Sequence, residues 1–300
     1  MPHVTFVHGI GNKPPADDLL GSWRGALADV GSDLATRGVS SSLVYWADLL
    51  YAAPVRGAVY ESAEDPEIVE VPDVGMLWAA RAEDDEAVFI RELADAIGYD
   101  PLAADAPAVV GEELFERVPL PWFLKRRLMK VFLRDVHHYL FDTTFNPRPG
   151  EEYSIRRDIR ARVVEALAVG ARKSGPHVVV AHSLGSVIAY DCLRRVADCP
   201  RVDGLVTIGS PLGLDEVQDR LRPEWSRADG FPDVDRWVNV YDRLDPVVGL
   251  DPVLGNDFRR DGTDVVEDVH QANRGAWRHS ATKYLAGEPF RRVLDEMVGL

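Results

Sequence analysis

The segment from His177 to Ser186, with the sequence HVVVAHSLGS, constrains the fold of this chain more than any other. Its three consecutive valines form a short β-branched run without polar alternation. Such a run is typical of a strand that is buried on both faces in the middle of a parallel sheet. Helix-like sequence follows at once, from Val187 to Leu193. The chain is therefore predicted to turn abruptly from strand into helix, with Ser183 at the turn.

Small residues flank Ser183 at the two offsets where strand and helix would approach each other closely. Ala181 lies two positions before it and Gly185 two positions after it. This pattern indicates a nucleophile elbow, a strained turn that projects its central side chain clear of the sheet. Ala181 stands where a first glycine is more usual. An ordinary strand-to-helix turn between small residues is the alternative interpretation.

With strand, turn and helix in this order, the sequence resembles the α/β-hydrolase superfamily, particularly its lipase-like and esterase-like serine hydrolases. The resemblance covers roughly residues 1–51 and 150–300, and residues 52–149 lie outside it. It implies an α/β-hydrolase fold in which the strands of a mostly parallel sheet carry the catalytic groups at their carboxyl ends.

The alternation of strand-like and helix-like segments predicts a single α/β domain over residues 1–300. We expect about six mostly parallel strands, joined by right-handed crossovers, with helices on both faces. The strands are predicted at Val4–Gly9, Ser42–Trp46, the valine run 178–180, Gly204–Pro211, Trp237–Tyr241 and Asp264–Val269.

Residues 52–149 interrupt this alternation and are predicted to form an inserted, mainly helical cap over the carboxyl edge of the sheet. A structureless loop of this length would be improbable in a compact domain. The run from Trp122 to Arg134 has the pattern of an amphipathic helix with a basic face. We favour a helix whose basic residues pair with the protein's own carboxylates. A lid or a membrane-surface helix is the alternative.

A catalytic serine needs a base within hydrogen-bonding reach, and the base needs an acid that holds its tautomer. The resemblance implies the chain order nucleophile, acid, histidine, which Ser183, Asp245 and His279 satisfy. Asp245 is followed by Pro-Val, as in the acid turn of the family, and His279 precedes a helix-like run as in the similar lipases. Asp242 is the alternative acid and His270 the alternative base.

The same resemblance implies an oxyanion hole made of two backbone N–H groups. One belongs to Ile10, in the glycine-containing loop after the first strand, and the other to Leu184, directly after the nucleophile. We expect the His8 side chain to brace this loop and the His182 side chain to point away from the site. The residues predicted to line the site are His8, Gly9, His182, Gly185 and Ser210.

Composition limits the partners and the compartment. A formal net charge of −15 opposes binding to nucleic acid, whose phosphates would repel the protein. The pair His137-His138 lacks cysteines or carboxylates at metal-ligand spacing, so we expect no metal and no cofactor. No signal peptide or membrane span is apparent, and Cys192 and Cys199 lack CxxC spacing. Reduced cysteines and a cytoplasmic location are expected.

The sequence therefore predicts a metal-independent serine hydrolase that cleaves carboxylic esters, of small-molecule or lipid-like kind, through an acyl-enzyme. Hydrolysis of amides or thioesters, or acyl transfer, on the same triad is an alternative. A non-catalytic binding protein that keeps the α/β-hydrolase fold is another, because a fold does not by itself determine a function. Contact with a membrane surface is possible but not favoured, and no oligomeric state is predicted.

Overall fold

A computed structural model gives the architecture of the chain. It describes residues 1–55, 78–79, 82–99, 122–221, 234–248, 251–275 and 277–300, with the backbone alone at 122–125.

Six strands form one central, entirely parallel sheet. They are β1 (His3–Val7), β2 (Ser40–Val44), β3 (His177–His182), β4 (Val202–Ile208), β5 (Val234–Tyr241) and β6 (Val266–His270), and their order across the sheet is β6-β5-β4-β3-β1-β2. The predicted α/β class and the six-stranded parallel sheet are thereby confirmed. Two short antiparallel hairpins lie outside the sheet, Thr144–Phe145 with Tyr153–Ser154 and Arg259–Arg260 with Thr263–Asp264.

Several strand ends differ from the predicted ones. The second strand begins at Ser40 rather than Ser42, because each serine of the run 40–42 pairs in register with a residue of β1. Pairing with a neighbouring strand here overrides the weak strand propensity of serine. The last strand extends to His270, where it still pairs with the end of β5.

Helices cover both faces of the sheet. They are α1 (Ala16–Ala28), α2 (Asp84–Ala96), α3 (Trp122–Leu140), α4 (Ile155–Ala171), α5 (Leu184–Arg195), α6 (Asp215–Leu221), α7 (Ala281–Ala286) and α8 (Glu288–Val298). Strand β3 is buried on both of its faces. On one face, Val178 and Val180 pack with residues of α1, α7 and α8. Val179 and Ala181 face the opposite core, which α2 to α6 supply. Both faces of one strand thus need apolar side chains, as the valine run predicted.

The described part of the inserted segment contains α2 and α3. From Val131 to Leu140 every residue of α3 is buried, including charged ones, so this half of the helix lies inside the protein rather than on its surface. Arg134 donates from Nε and Nη2 to Oδ1 of Asp135, at 2.9 and 2.7 Å. Whether the insertion caps a catalytic site stays a prediction.

Among the described helices, none combines the length and apolar character that crossing a membrane requires. Cys192 and Cys199 are both free thiols. Burial raises the pKa of Cys199 to about 11 and also raises that of Cys192. Neither thiol is therefore activated as a nucleophile, and the cytoplasmic location stays a prediction.

Candidate active site

Ser183 has an unusual backbone conformation, with φ 56° and ψ −131°, between the end of β3 and the start of α5. Non-glycine residues rarely adopt positive φ, and such strain costs about 1–3 kcal/mol unless the surroundings enforce it. Here they do. The Ser183 N–H donates to the carbonyl of Ile208 at 3.0 Å, and the Ser183 carbonyl accepts from the N–H of Ser186 at 2.8 Å. The turn is fixed by the next strand and by its own helix.

Two glycines allow the loop after β1 to lie directly against this turn. A Cβ atom on Gly9 would lie 2.5 Å from Cβ of Ser183. A Cβ atom on Gly185 would lie 2.5 Å from the carbonyl oxygen of Val7 and 2.6 Å from that of His8. Because no side chain fits in either gap, only glycine permits this approach, which brings the predicted oxyanion loop to Ser183.

Asp245 and His279 form a buried carboxylate–imidazole pair. Nδ1 of His279 lies 2.9 Å from Oδ1 and 2.8 Å from Oδ2 of Asp245. The carboxylate also accepts the N–H of Val247 at 2.9 Å and the hydroxyl of Tyr284 at 2.8 Å. Since a carboxylate can only accept, the ring carries a proton on Nδ1, and in the neutral ring Nε2 keeps its lone pair.

The two alternative candidates occupy other positions. The carboxylate of Asp242 accepts from the N–H of Leu244 at 2.8 Å, the N–H of Asn273 at 2.7 Å and Nη1 of Arg278 at 3.1 Å. It therefore braces the chain that leads to His279 and does not contact the imidazole. His270 is exposed at the end of β6, with its ring 5.5 Å from that of Tyr241.

His182 connects Ser183 to the carboxylate–imidazole pair. Its ring lies 4.6 Å from the ring of His279, and its Nε2 donates to the His279 carbonyl at 2.8 Å. The expectation that this side chain points away was wrong. Strand β3 continues through His182 to the edge of the sheet, so the ring reaches the loop that carries His279. Burial lowers the pKa of His182 well below its usual value, and the charges of His279 and Lys13 lower it further.

Gly209, directly after β4, allows the backbone to lie against the pair formed by Asp245 and His279. It has φ 56°, and a Cβ atom there would lie 2.9 Å from Oδ2 of Asp245 and 3.2 Å from Nδ1 of His279. The next residue, Ser210, accepts from the hydroxyl of Ser186 at 2.7 Å and the N–H of Leu212 at 3.2 Å. Ser210 thus connects helix α5 to the loop after β4.

Among the described residues, three buried atoms at this edge have no hydrogen-bond partner: Oγ of Ser183, Nε2 of His279 and Nδ1 of His182. Buried polar atoms are normally bonded, so such exceptions call for an explanation. The first is the hydroxyl at the strained turn, and the second is the open nitrogen of a histidine held by a carboxylate. These two atoms are not hydrogen-bonded to each other, although a hydroxyl and an open imidazole nitrogen are the groups that activation of a serine requires.

The candidate oxyanion donors lie in the loop after β1 and at the start of α5. The Gly9–Ile10 peptide is held by Nδ1 of His8, which donates to the Gly9 carbonyl at 2.9 Å, while Nε2 of His8 accepts the Trp46 N–H at 3.0 Å. Burial lowers the pKa of His8 well below its usual value and keeps the ring neutral. The N–H of Leu184 opens α5 and has no acceptor within the helix.

Asp135 and Tyr284 received no role from the sequence, although both contact this region. Oδ2 of Asp135 accepts the Gly11 N–H at 2.8 Å, and the Tyr284 hydroxyl donates to Asp245. A signal for Asp135 was present, because the charged pair Arg134-Asp135 interrupts the apolar run from Val131 to Val136. Nothing in the sequence distinguishes Tyr284 from other buried aromatic residues.

No group of three or more histidine, cysteine, aspartate or glutamate side chains in the described part of the chain is placed to hold a metal ion. Nε2 of His137 lies 3.4 Å from Oε2 of Glu86, and Nδ1 of His138 is bonded to Oγ1 of Thr143. Burial lowers the pKa of His138 to about 3.

Comparison with known proteins finds no matching family model and no matching curated protein. One solved structure that resembles this chain is an uncharacterized protein from Pseudomonas aeruginosa, with 12% sequence identity and a TM-score of 0.30. The match covers 91% of this chain and 40% of that one, so this chain spans less than half the length of that protein. A likeness of this kind assigns neither a family nor a function.

Proposed function

We propose that this protein is a serine hydrolase with an α/β-hydrolase fold that cleaves carboxylic esters of small-molecule or lipid-like kind. The observation that carries the proposal is that Oγ of Ser183 and Nε2 of His279 are both buried and unbonded, while Asp245 holds the other ring nitrogen of His279. Two further features support it, the strained turn at Ser183 and the common carboxyl edge of the sheet where all three residues lie.

In the proposed reaction, Oγ of Ser183 attacks the ester carbonyl while Nε2 of His279 takes its proton. Asp245 holds Nδ1 of the ring and stabilises the imidazolium that forms. The N–H groups of Ile10 and Leu184 receive the negative oxygen of the tetrahedral intermediate. His279 then protonates the departing alcohol, and water, activated by His279, cleaves the acyl-enzyme to the free acid and restores Ser183.

The surroundings of the pair favour this division of roles. The Tyr284 hydroxyl and the Val247 N–H hold both oxygens of Asp245 facing the imidazole. Burial and the charge of Asp245 raise the pKa of Tyr284 well above its usual value, so the phenol stays a donor. The neutral ring of His182, packed against His279, adds no second positive charge that would oppose the imidazolium.

The experiment is labelling with a fluorophosphonate, which phosphonylates activated serines. We expect one label per chain, mapped to Ser183, and turnover of short p-nitrophenyl esters that falls by about 10⁵- to 10⁶-fold in Ser183→Ala. Ser42→Ala is the matched control, because its hydroxyl contacts His3 at the opposite edge of the sheet. An unlabelled wild-type protein, or substantial turnover by Ser183→Ala with an unchanged circular dichroism spectrum, would contradict the proposal.

Substrate panels separate the remaining chemistries. Esters, thioesters and anilides with the same acyl group compare the bonds that are cleaved, and a series of acyl chain lengths compares short with lipid-like acids. Adding a competing alcohol tests acyl transfer, because a transferase would form the new ester in preference to the free acid. A labelled protein that cleaves only thioesters would keep the triad and change the substrate class.

A further inference from the structure

The inserted helix α3 makes direct contact with the loop that carries the candidate oxyanion donor. The contact is made by Asp135, whose side chain is fully buried. Its Oδ2 accepts the backbone N–H of Gly11 at 2.8 Å and the Tyr51 hydroxyl at 3.1 Å, and its Oδ1 accepts from Nε and Nη2 of Arg134. A residue from the segment without family resemblance therefore bonds to the first loop of the scaffold.

A buried carboxylate is costly unless its oxygens are hydrogen-bonded, and hydrogen bonds to an ionised group are stronger than neutral ones. At Asp135 the Nε and Nη2 groups of Arg134 bond to Oδ1, which leaves Oδ2 for the Gly11 N–H and for the shorter contact of the Tyr51 hydroxyl. The bond to the Gly11 N–H is charge-assisted and shielded from water. It is therefore strong enough to fix the orientation of the peptide that it holds.

Two consecutive peptides of the loop are fixed in this way. His8 holds the carbonyl of the Gly9–Ile10 peptide, and Asp135 holds the N–H of the Ile10–Gly11 peptide. In a trans peptide the N–H points opposite to the carbonyl, so fixing the Gly9 carbonyl directs the Ile10 N–H away from His8. Gly11 has φ 85°, a conformation that glycine adopts without strain.

We infer that Asp135 is a positioning residue for the oxyanion hole, and that the inserted helix α3, by holding the peptide that follows Ile10, acts together with His8 to keep the Ile10 N–H in place. The inference rests on the proposed function. It gives the insertion a part in the chemistry that differs from covering the site, because α3 would hold a backbone donor rather than contact the substrate. A donor held before the reaction costs no reorganisation when the oxyanion forms.

The test compares Asp135→Asn and Asp135→Ala with the wild-type protein. Removing one oxyanion donor outright costs about 10²- to 10³-fold in kcat. We expect about 10- to 100-fold for Asp135→Ala, which frees the Gly11 N–H, and a smaller loss for Asp135→Asn, which keeps one acceptor oxygen. KM for a p-nitrophenyl ester should stay within about twofold. The affinity for a trifluoromethyl ketone, which forms a tetrahedral oxyanion on the serine, should fall in parallel with kcat/KM.

Asp191→Asn is the control for instability. Asp191 is equally buried and accepts from Tyr139 at 2.6 Å and from Arg160 at 2.7 and 2.8 Å, but it does not contact the loop. The Asp191→Asn variant should have a lower melting temperature than the wild-type protein. Its affinity for the ketone should not fall by more than its affinity for the ester substrate. If Asp135→Ala fails to fold, Asp135→Asn carries the test.

The possible results are distinguishable. Wild-type labelling at Ser183 together with unchanged ketone affinity in folded Asp135 variants would overturn this inference alone. The inference would also be overturned if Asp191→Asn lost as much affinity for the ketone as the Asp135 variants do. A wild-type protein that the fluorophosphonate does not label would overturn the proposed function and this inference with it.

Discussion

Buried histidines lie at both edges of the sheet, and they differ in their partners. At the amino edge, His3 and His177 begin β1 and β3, with their rings 5.3 Å apart. Nδ1 and Nε2 of His3 contact the hydroxyls of Ser40 and Ser42 at 2.8 and 2.9 Å, and Nε2 of His177 contacts the hydroxyl of Thr5 at 2.9 Å. At the carboxyl edge, His279 contacts a carboxylate.

The difference shows what makes a buried histidine a candidate base. A hydroxyl can bond to a neutral ring but gives little support to a positive one, and burial lowers the pKa of His177 to about 4. A carboxylate can offset the charge of an imidazolium. Burial is similar at the two edges, so burial alone does not identify a catalytic residue. The partner does.

The sharpest test of this comparison replaces one histidine at each edge with glutamine. His279→Gln should lower kcat/KM for ester hydrolysis by about 10⁵- to 10⁶-fold, because the base is lost. His177→Gln should keep activity within about threefold and lower the free energy of unfolding by about 1 kcal/mol, since one buried hydrogen bond is disturbed. Ester kinetics and urea denaturation of both variants give the answer. A large loss of activity in His177→Gln would remove the distinction.

The next test separates the two carboxylates. In serine proteases, replacing the triad aspartate with asparagine costs about 10⁴-fold, because the amide favours the wrong histidine tautomer. We expect a loss of that order in Asp245→Asn and a much smaller one in Asp242→Asn, which only loosens the chain before His279. Comparing kcat/KM of the two variants checks this. The reverse ranking would move the acid to Asp242.

The smallest expected effect concerns pH at the amino edge. The pKa of His177 falls from its ordinary value of 6.5 to about 4, chiefly by burial, with a smaller contribution from the charge of His3. Between these values the unfolded chain binds a proton that the folded protein excludes. The free energy of unfolding should therefore decrease by about 1–2 kcal/mol for this group as the pH falls from 6.5 to 4.

Urea denaturation at several pH values measures this slope. It should be shallower in His177→Gln, which lacks the titrating ring. His138, whose pKa is lowered to about 3 by burial, contributes in the same direction and remains in both proteins. Equal slopes in the two proteins would show that His177 is not held neutral.

Much of the scaffold could be predicted from the sequence because it depends on local patterns. The valine run at 178–180 needs apolar partners on both faces, and that requirement leads to a parallel sheet covered by helices. The pairing of Asp245 with His279, rather than Asp242 with His270, was expected from a resemblance. The structure has that contact, whereas the catalytic roles of the two residues stay predictions.

What the sequence could not provide were contacts between distant segments. The orientation of His182 depends on where β3 ends relative to the loop that carries His279. The bond from Asp135 to Gly11 joins residues 124 positions apart, and no local period encodes it. The run from Trp122 to Arg134 has the pattern of an amphipathic helix, which would leave its basic face exposed. Its buried second half shows that neighbouring helices, rather than its own pattern, determine its exposure.

The position of β1 in the sheet has a consequence for how the chain is made. This strand lies between β2 and β3, and Thr5 contacts His177 across 172 residues of sequence. A ribosome that adds about 5–20 residues per second needs about 10–35 seconds to synthesise that interval. During this time the strand that flanks β1 on its other side in the folded protein does not yet exist, and one edge of the nascent sheet stays open to other strands. That edge must therefore be protected from aggregation, by the chain itself or by a bound chaperone, until the strand before Ser183 has been synthesised.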